Sequence, residues 1–253
     1  TVGKLGAAIT YTGEMEEDSM IPWAATMRAD LEKEGQEVLE SLVIDGDTES
    51  GSSANINDIA SAITSGSYYL TLDGFRKLAL VTNTANSRSC GALTVEDFLE
   101  TVKLMGLAGK NAVQTDKVGF IIDLWTHWKA LELAEVKTKD SFSAPTLENG
   151  KLTRLWGYEI IPSPNMHRPS ADATYGLKAN SAGKIDQDTP ANDAYGAILA
   201  VRWDQWQMGI KRNWLFETQR FPRADATEIT ASTRVGLIYR DTDAAAESYG
   251  VIV

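Results

Sequence analysis

The 253 residues carry 43% hydrophobic and 23% charged side chains, enough apolar material for one large domain or two small ones and too much for a disordered chain. The formal charge of −11 is spread along the chain, and the clustered lysines and arginines that displace counterions from nucleic acid are missing, which argues against direct wrapping of DNA. No apolar run reaches the roughly 18 residues of a membrane helix, and the single cysteine, Cys90, permits no internal disulfide.

The dominant stretch is Glu14 to Asp47. Met20, Ala24, Met27, Leu31, Val38 and Leu42 recur three or four apart, with Gly35 filling the gap, while Arg28, Asp30, Glu32, Lys33, Glu34 and Glu37 occupy the other faces. This period predicts one long amphipathic helix. Asp18 or Ser19 supplies the N-cap oxygen, Pro22 falls in the first turn, Glu16 and Glu17 sit at the positive dipole end, and Asp45-Gly46-Asp47 stops the helix. At about 25 residues it spans about 37 Å, a strut across the molecule.

Residues 48–57 form a polar connector. The spacing of Asp45, Asp47 and Glu49 partly matches a calcium loop, but the glycine falls one place late at Gly51, and Ile56 stands where a bidentate Glu belongs. No metal is expected there. A short helical pattern covers Ile56 to Ser65, and Leu72, Phe75, Leu78 and Ala79 share a face between Leu70 and Leu80. Thr82 to Gly91 is rich in Asn, Ser and Thr and reads as an exposed loop. Thr94-Val-Glu-Asp97 has capping-box spacing and opens a helix with Phe98, Val102 and Met105 on one side, ended by Gly106 and Gly109. Val118 to Asp123 is a buried strand, followed directly by a helix from Leu124 to Leu133.

Leu152 to Pro164 reads as two short strands about a Gly turn, with Pro162 and Pro164 barring a sheet centre. Residues 168–194 are a polar loop suited to flexible contacts. Gly196 to Trp203 is a core strand. Then comes strict alternation: Met208, Ile210, Trp214 and Phe216 on one face opposite Lys211, Asn213, Glu217 and Gln219, and Ile229, Ala231, Val235, Leu237 and Tyr239 opposite Glu228, Thr230, Ser232 and Arg234. Two long antiparallel strands joined through Phe221-Pro222-Arg223-Ala224-Asp225 follow.

The acidic Glu14-Met-Glu-Glu-Asp-Ser19 opening, the long Glu- and Ala-rich helix and the Ile44-Asp-Gly-Asp47 exit resemble the spine of tailed-bacteriophage major capsid proteins of the Hong Kong phage type. Gly157-Tyr-Glu-Ile-Ile-Pro-Ser-Pro-Asn-Met166 resembles a strand of that family's axial domain, and the helix–strand–helix order of Ala92 to Ala134 fits the same domain. The resemblance implies an α+β capsid fold with a spine helix, a peripheral domain of long antiparallel strands and an axial domain whose central sheet is flanked by helices. Residues 1–13, from Leu5 to Gly13, would be the returning strand of the extended E-loop, 14–50 and 205–253 the peripheral domain, and 51–204 the axial domain. Ser248 to Val253 resembles the short closing strand of the peripheral domain, and the long ribbon should pack under the spine. The family's N-terminal arm and the outgoing half of the E-loop do not precede Thr1, and Lys4 alone places no covalent cross-link.

What the resemblance implies for function is a structural subunit, not an enzyme, forming pentamers and hexamers of an icosahedral head around double-stranded DNA without sequence-specific contacts. Portal, scaffolding or decoration proteins are its further partners. No membrane, cofactor or metal is expected, and the location is the virion, after synthesis in the bacterial host cytoplasm. Two alternatives stand beside it: an encapsulin-like nanocompartment shell, and a small α+β hydrolase using the acidic cluster.

Candidate chemistry is sparse. His127 and His167, the only histidines, lie 40 residues apart with no ligand-spaced partner, and His127, between Trp125 and Trp128, reads as a packed structural residue. There is no nucleophile elbow, phosphate loop or dinucleotide fingerprint. Cys90 is a loop thiol whose pKa Arg88 could lower. Glu14, Glu16, Glu17 and Asp18 stabilise a helix start and, in a shell, would meet Arg212, Arg220, Arg223 or Arg234 of a neighbour. The seven tryptophans read as packing, with one or two available as interface anchors.

Overall fold

The computed structural model describes residues 2–17, 23–50, 55–58, 66–133, 136, 147–148, 151–168, 185–186 and 195–253. Strand β1 (Gly3–Thr12) leads into a short helix α1 (Gly13–Glu17), and the long helix α2 (Trp23–Asp45) follows. Next come β2 (Asn57–Asp58), the turn α3 (Phe75–Lys77) that continues as a π-helical turn through Leu78–Thr82, and β3 (Ser87–Ser89). Then α4 (Val95–Lys103), β4 (Val118–Ile122), α5 (Leu124–Glu132), β5 (Leu147–Glu148), β6 (Lys151–Leu152), β7 (Arg154–Leu155) and β8 (Tyr158–Pro162) follow in order. The chain closes with β9 (Ile185–Asp186), β10 (Tyr195–Arg202), β11 (Trp206–Phe221), β12 (Ala226–Tyr239) and β13 (Ala245–Ile252).

The alternation of 206–239 forms the expected ribbon, β11 antiparallel to β12, and β1 adds to its other side in the order β1-β12-β11. Helix α2, 23 residues and about 34 Å long, lies on one face of this sheet. Its first half packs Met27 and Leu31 against Tyr11, Ile229, Ala231, Trp214 and Phe216. Its second half packs Val38, Leu39, Leu42 and Ile44 against Leu5, Val235 and Leu237. Gly35 is the gap in the apolar stripe because Trp214 fills it: a Cβ there would lie 2.6 Å from the indole ring. The strut and the ribbon, far apart in sequence, are packed together.

A six-stranded mixed sheet of order β3-β13-β10-β4-β8-β7 forms the second centre. Every residue of β4 is buried, as are residues 196–201 of β10, which sits between β13 and β4. One face packs Ile198 and Ala200 with Phe98 and Val102 of the capped helix α4 and with Met105 just beyond its end, and there Phe98, Phe120 and Tyr158 stack edge to face. The capping signal holds: the Asp97 carboxylate accepts the Thr94 N–H and hydroxyl at 2.8 Å each. The other face presents Ile121, Leu199 and Val201 to the end of α2. At that junction the Gly74 N–H donates to the Gly46 carbonyl at 2.7 Å, two backbones crossing in contact.

Three expectations are corrected, and one is met: the strut predicted after an Asp18 or Ser19 cap is α2 (Trp23–Asp45), with Glu14, Glu16 and Glu17 ahead of it in α1 and with Asp18, Ser19 and Pro22 outside the described residues. Ile56 to Asp58 is not helical, since Asn57–Asp58 pairs in parallel with Ile185–Asp186, and residues 59–65 are not described. Within Thr82 to Gly91, Ser87–Ser89 forms an edge strand on β13, because Asn86 is buried and donates to the Ala245 carbonyl, drawing the segment onto the sheet. The C-terminal strand belongs to the six-stranded sheet instead of the ribbon unit: Ala245, Ala246 and Val251 are too apolar for an exposed edge and pair with β10. Of the predicted loop 168–194, only Arg168 and Ile185–Asp186 are described.

Candidate functional site

The polar centre of the molecule is an ion cluster at the joint between strut and six-stranded sheet. Arg76, 0% exposed, donates through Nε and Nη2 to Glu247 Oε1 at 3.0 and 2.9 Å, and through Nη1 to Asp45 Oδ1 at 2.9 Å and the His167 carbonyl at 2.8 Å. Asp45 Oδ2 accepts the His167 N–H at 2.9 Å, with the imidazole Nδ1 at 3.0 Å. Thus the last residue of α2, the middle of α3, the inner strand β13 and the segment after β8 are tied at one point.

The two carboxylates around Arg76 are not equivalent. Burial disfavours the charge on Asp45, but Arg76 and the bonds from His167 outweigh it and hold the carboxyl below its ordinary range. At Glu247 burial prevails over Arg76 and pushes the carboxyl up, and Glu247 Oε2 is buried without a hydrogen-bond partner. This cluster fastens four segments of the chain at one point. Asp45 and Asp47, which formed the partial calcium spacing, are instead bound to Arg76 and to Lys77 at 2.6 Å. Sequence reasoning missed the cluster because its bonded partners are separated by up to 171 residues; the one local signal was a charge, Arg76, beside the apolar face of Leu72, Phe75, Leu78 and Ala79.

The residues expected at a subunit interface fall into two places. Glu14, Glu16 and Glu17 sit on α1 at the tip of the ribbon, where the Gly13 N–H donates to the Asp225 carbonyl at 2.7 Å; Asp18 lies outside the described residues. Arg220 and Arg223 are exposed at the same tip, Arg220 lying 3.3 Å from Asp225. Arg212 and Arg234 are elsewhere, directly opposite each other in mid-ribbon on the face away from α2, and Arg212 donates to Ser232 Oγ at 2.8 Å. Two bulges, at 210/212 and 212/215, turn Arg212 onto that face.

Among the tryptophans, Trp203 and Trp206 pack on Phe75, whereas Trp125 and Trp128 are about half exposed on α5, stacked edge to face with Arg168 over the Trp125 ring. Arg88, bound to Asp97 at 2.9 Å, acts to lower the Cys90 pKa but is outweighed. Burial, then the Asp97 charge, pushes the thiol up to about 11. Alkylation of Cys90 at pH 8 should therefore run about a hundredfold slower than that of a free thiol, a rate readable by mass spectrometry; an ordinary rate would contradict the buried setting.

No protein-family model and no curated protein matches the sequence. Solved structures do match. The capsid of the native GTA particle aligns with a TM-score of 0.60 at 14% identity, over 99% of this chain and 73% of its own. The mature capsid of bacteriophage PhiM1 aligns at 0.58 and 11% identity, over 98% and 71%. The chain has the tailed-phage capsid fold. The holo-SrpI encapsulin complex from Synechococcus elongatus PCC 7942 shares it, with a TM-score of 0.56 at 12% identity over 99% and 74%. In this capsid fold α2 is the spine, β11 and β12 the long antiparallel strands, and β10 the centre of the second sheet, so the α+β architecture expected from the sequence is the one observed.

Proposed function

We propose that this chain is a structural shell subunit whose copies assemble into the pentamers and hexamers of an icosahedral phage or prophage head around double-stranded DNA. The observation that supports it is a likeness to capsid structures that runs through 98–99% of the chain instead of one motif, with the strut and ribbon packed as one unit. In the proposed division, residues 1–13 form the returning strand of an E-loop. Residues 14–50 and 205–239 are peripheral in this reading, where the sequence alone had suggested 205–253, and 51–204 with 240–253 are axial; the pairing of β13 with β10 supports grouping the C-terminal residues with the axial part.

A shell of this kind works through geometry. Identical subunits bury modest edges against neighbours about five-fold and six-fold axes, and many weak contacts sum to a rigid wall. The net charge of −11 fits a container that holds DNA without binding it tightly. Portal, scaffolding or decoration proteins complete the head in this reading, and the virion is its location.

Light scattering and sedimentation of the purified protein test the assignment. Closed particles of one or a few sizes are expected, and nuclease-protected DNA in particles recovered from the producing cell. Protein cargo in place of DNA would favour the encapsulin-like shell. A protein that stays monomeric at every concentration while turning over a substrate would overturn the assignment in favour of a hydrolase.

A further inference from the structure

The face of the three-stranded sheet turned away from the spine carries an unbalanced row of charge. Lys4 of β1 pairs directly with Arg234 of β12, and Arg234 pairs directly with Arg212 of β11, so three cations stand side by side across the sheet. Like charges opposite one another oppose folding, and a chain with eleven more acids than bases has acids to spare for neutralising them. Yet among the described residues none of the three makes an ion pair, and the Nε atoms of Arg212 and Arg234 are buried without a hydrogen-bond partner. On the same face the acids are Glu217 and Glu228, opposite Thr230 and Gln219, several rungs toward the ribbon tip. A groove of about 370 Å³ opens beside Lys4 along the free edge of β1, between residues 3–6 and 66–71.

The complementary charge lies at the other end of the same sheet. Glu14 and Glu17 are exposed on α1, in the run Glu14-Met-Glu-Glu17, and no ion pair engages them among the described residues. They cannot reach the row within one subunit. Lys4 and Thr12 are eight residues apart on one strand, about 27 Å, and α1 is held at the tip by the bond from Gly13 to Asp225.

We propose that the Lys4–Arg234–Arg212 row is the seat for the acidic turn Glu14–Glu17 of a second copy of this chain. The proposal rests on the shell-subunit reading and adds which surfaces meet. Repeated head to tail from subunit to subunit, this pairing of seat with insert is the heterologous kind of contact from which a closed ring is built. Charge pairing of this type sets register and suppresses wrong neighbours, which a shell of identical subunits needs.

The test uses particles assembled from an equal mixture of unlabelled and isotope-labelled full chains, treated with a carbodiimide that joins lysine to carboxylate without a spacer. A mixed-label link between the Lys4 peptide and the Glu14–Glu17 peptide is the expected result; links from Lys4 only to other carboxylates overturn the proposal. In parallel, Glu14→Lys with Glu17→Lys should lower particle yield about tenfold, Lys4→Glu with Arg234→Glu likewise, and the two pairs combined should restore yield to within about threefold. Circular dichroism of the unassembled subunits separates lost assembly from lost folding, and if a reversal unfolds the subunit the cross-link in unaltered protein decides. Shielding of Lys4 from an amine reagent in DNA-filled particles but not in empty ones would assign the row to phosphate and overturn the proposal. Particles that form without the link refute this contact alone, whereas failure of the unaltered chain to form particles refutes the shell reading itself.

Discussion

Replacing Arg76 with methionine should cost about 3–5 kcal/mol and lower the melting midpoint by roughly 10 °C or more. The side chain has no exposed surface and is the shared cation of Asp45 and Glu247, so its loss leaves Glu247 buried without a counter-charge and Asp45 with His167 alone. The loss should shrink on acidification. In the native protein Asp45 is held low, so its contribution is present above the unfolded carboxylate range and disappears as pH falls through its lowered value. Glu247 is held high, so its contribution has the opposite sign, present below the unfolded value and lost as pH rises through the raised one. Without Arg76 both carboxyls favour the proton, and the variant should be closer to the parent at pH 5 than at pH 7 in paired denaturant titrations. A deficit independent of pH would mean that packing, not charge, holds the joint.

Gly74→Ala is the second large effect, about 3 kcal/mol. A Cβ at Gly74 would sit 2.7 Å from the Ile44 carbonyl, 2.8 Å from the Gly46 nitrogen and 2.8 Å from the Val43 carbonyl, all backbone atoms of the spine exit that no rotamer change can move. The contrast is Gly66→Ala, where nothing lies within 4 Å among the described residues and the midpoint should hardly change. Equal effects at the two positions, measured by thermal unfolding, would remove the argument that α2 and α3 cross at backbone contact. Gly35 is a milder case. Its obstacle is the end of the Trp214 ring, and alanine returns about 1 kcal/mol of helix propensity, so the two terms largely cancel.

These two sites mark where the sequence was legible and where it was not. Periodicity exposed the spine and the ribbon because Met27, Leu31, Leu42 and Ile44 of one meet Trp214, Phe216, Ile229, Ala231, Val235 and Leu237 of the other, although Met208 and Ile210 on the same face of β11 stay exposed. Gly35 within the stripe lies where Trp214 crosses. The Thr94–Asp97 cap and the buried run of β4 were readable for the same local reason. What pattern alone could not reveal is partnership across the chain. Ser248 to Val253 looks like any short strand until Ala245 and Ala246 are seen buried in the inner sheet, and Glu247 looks solvent-facing until Arg76 claims it. Likewise, Arg212 and Arg234 were grouped with Arg220 and Arg223 as one basic set, and only the register, with its two bulges, separates a mid-sheet row from the ribbon tip.

Cryo-electron microscopy of the purified, unaltered protein is the most direct measurement of the central claim. The reconstruction should show a closed shell of repeating subunits, each with α2 lying along β11 and β12 and with Trp214 seated on Gly35. Dispersed single subunits, or a shell in which the ribbon has left the spine, would contradict it.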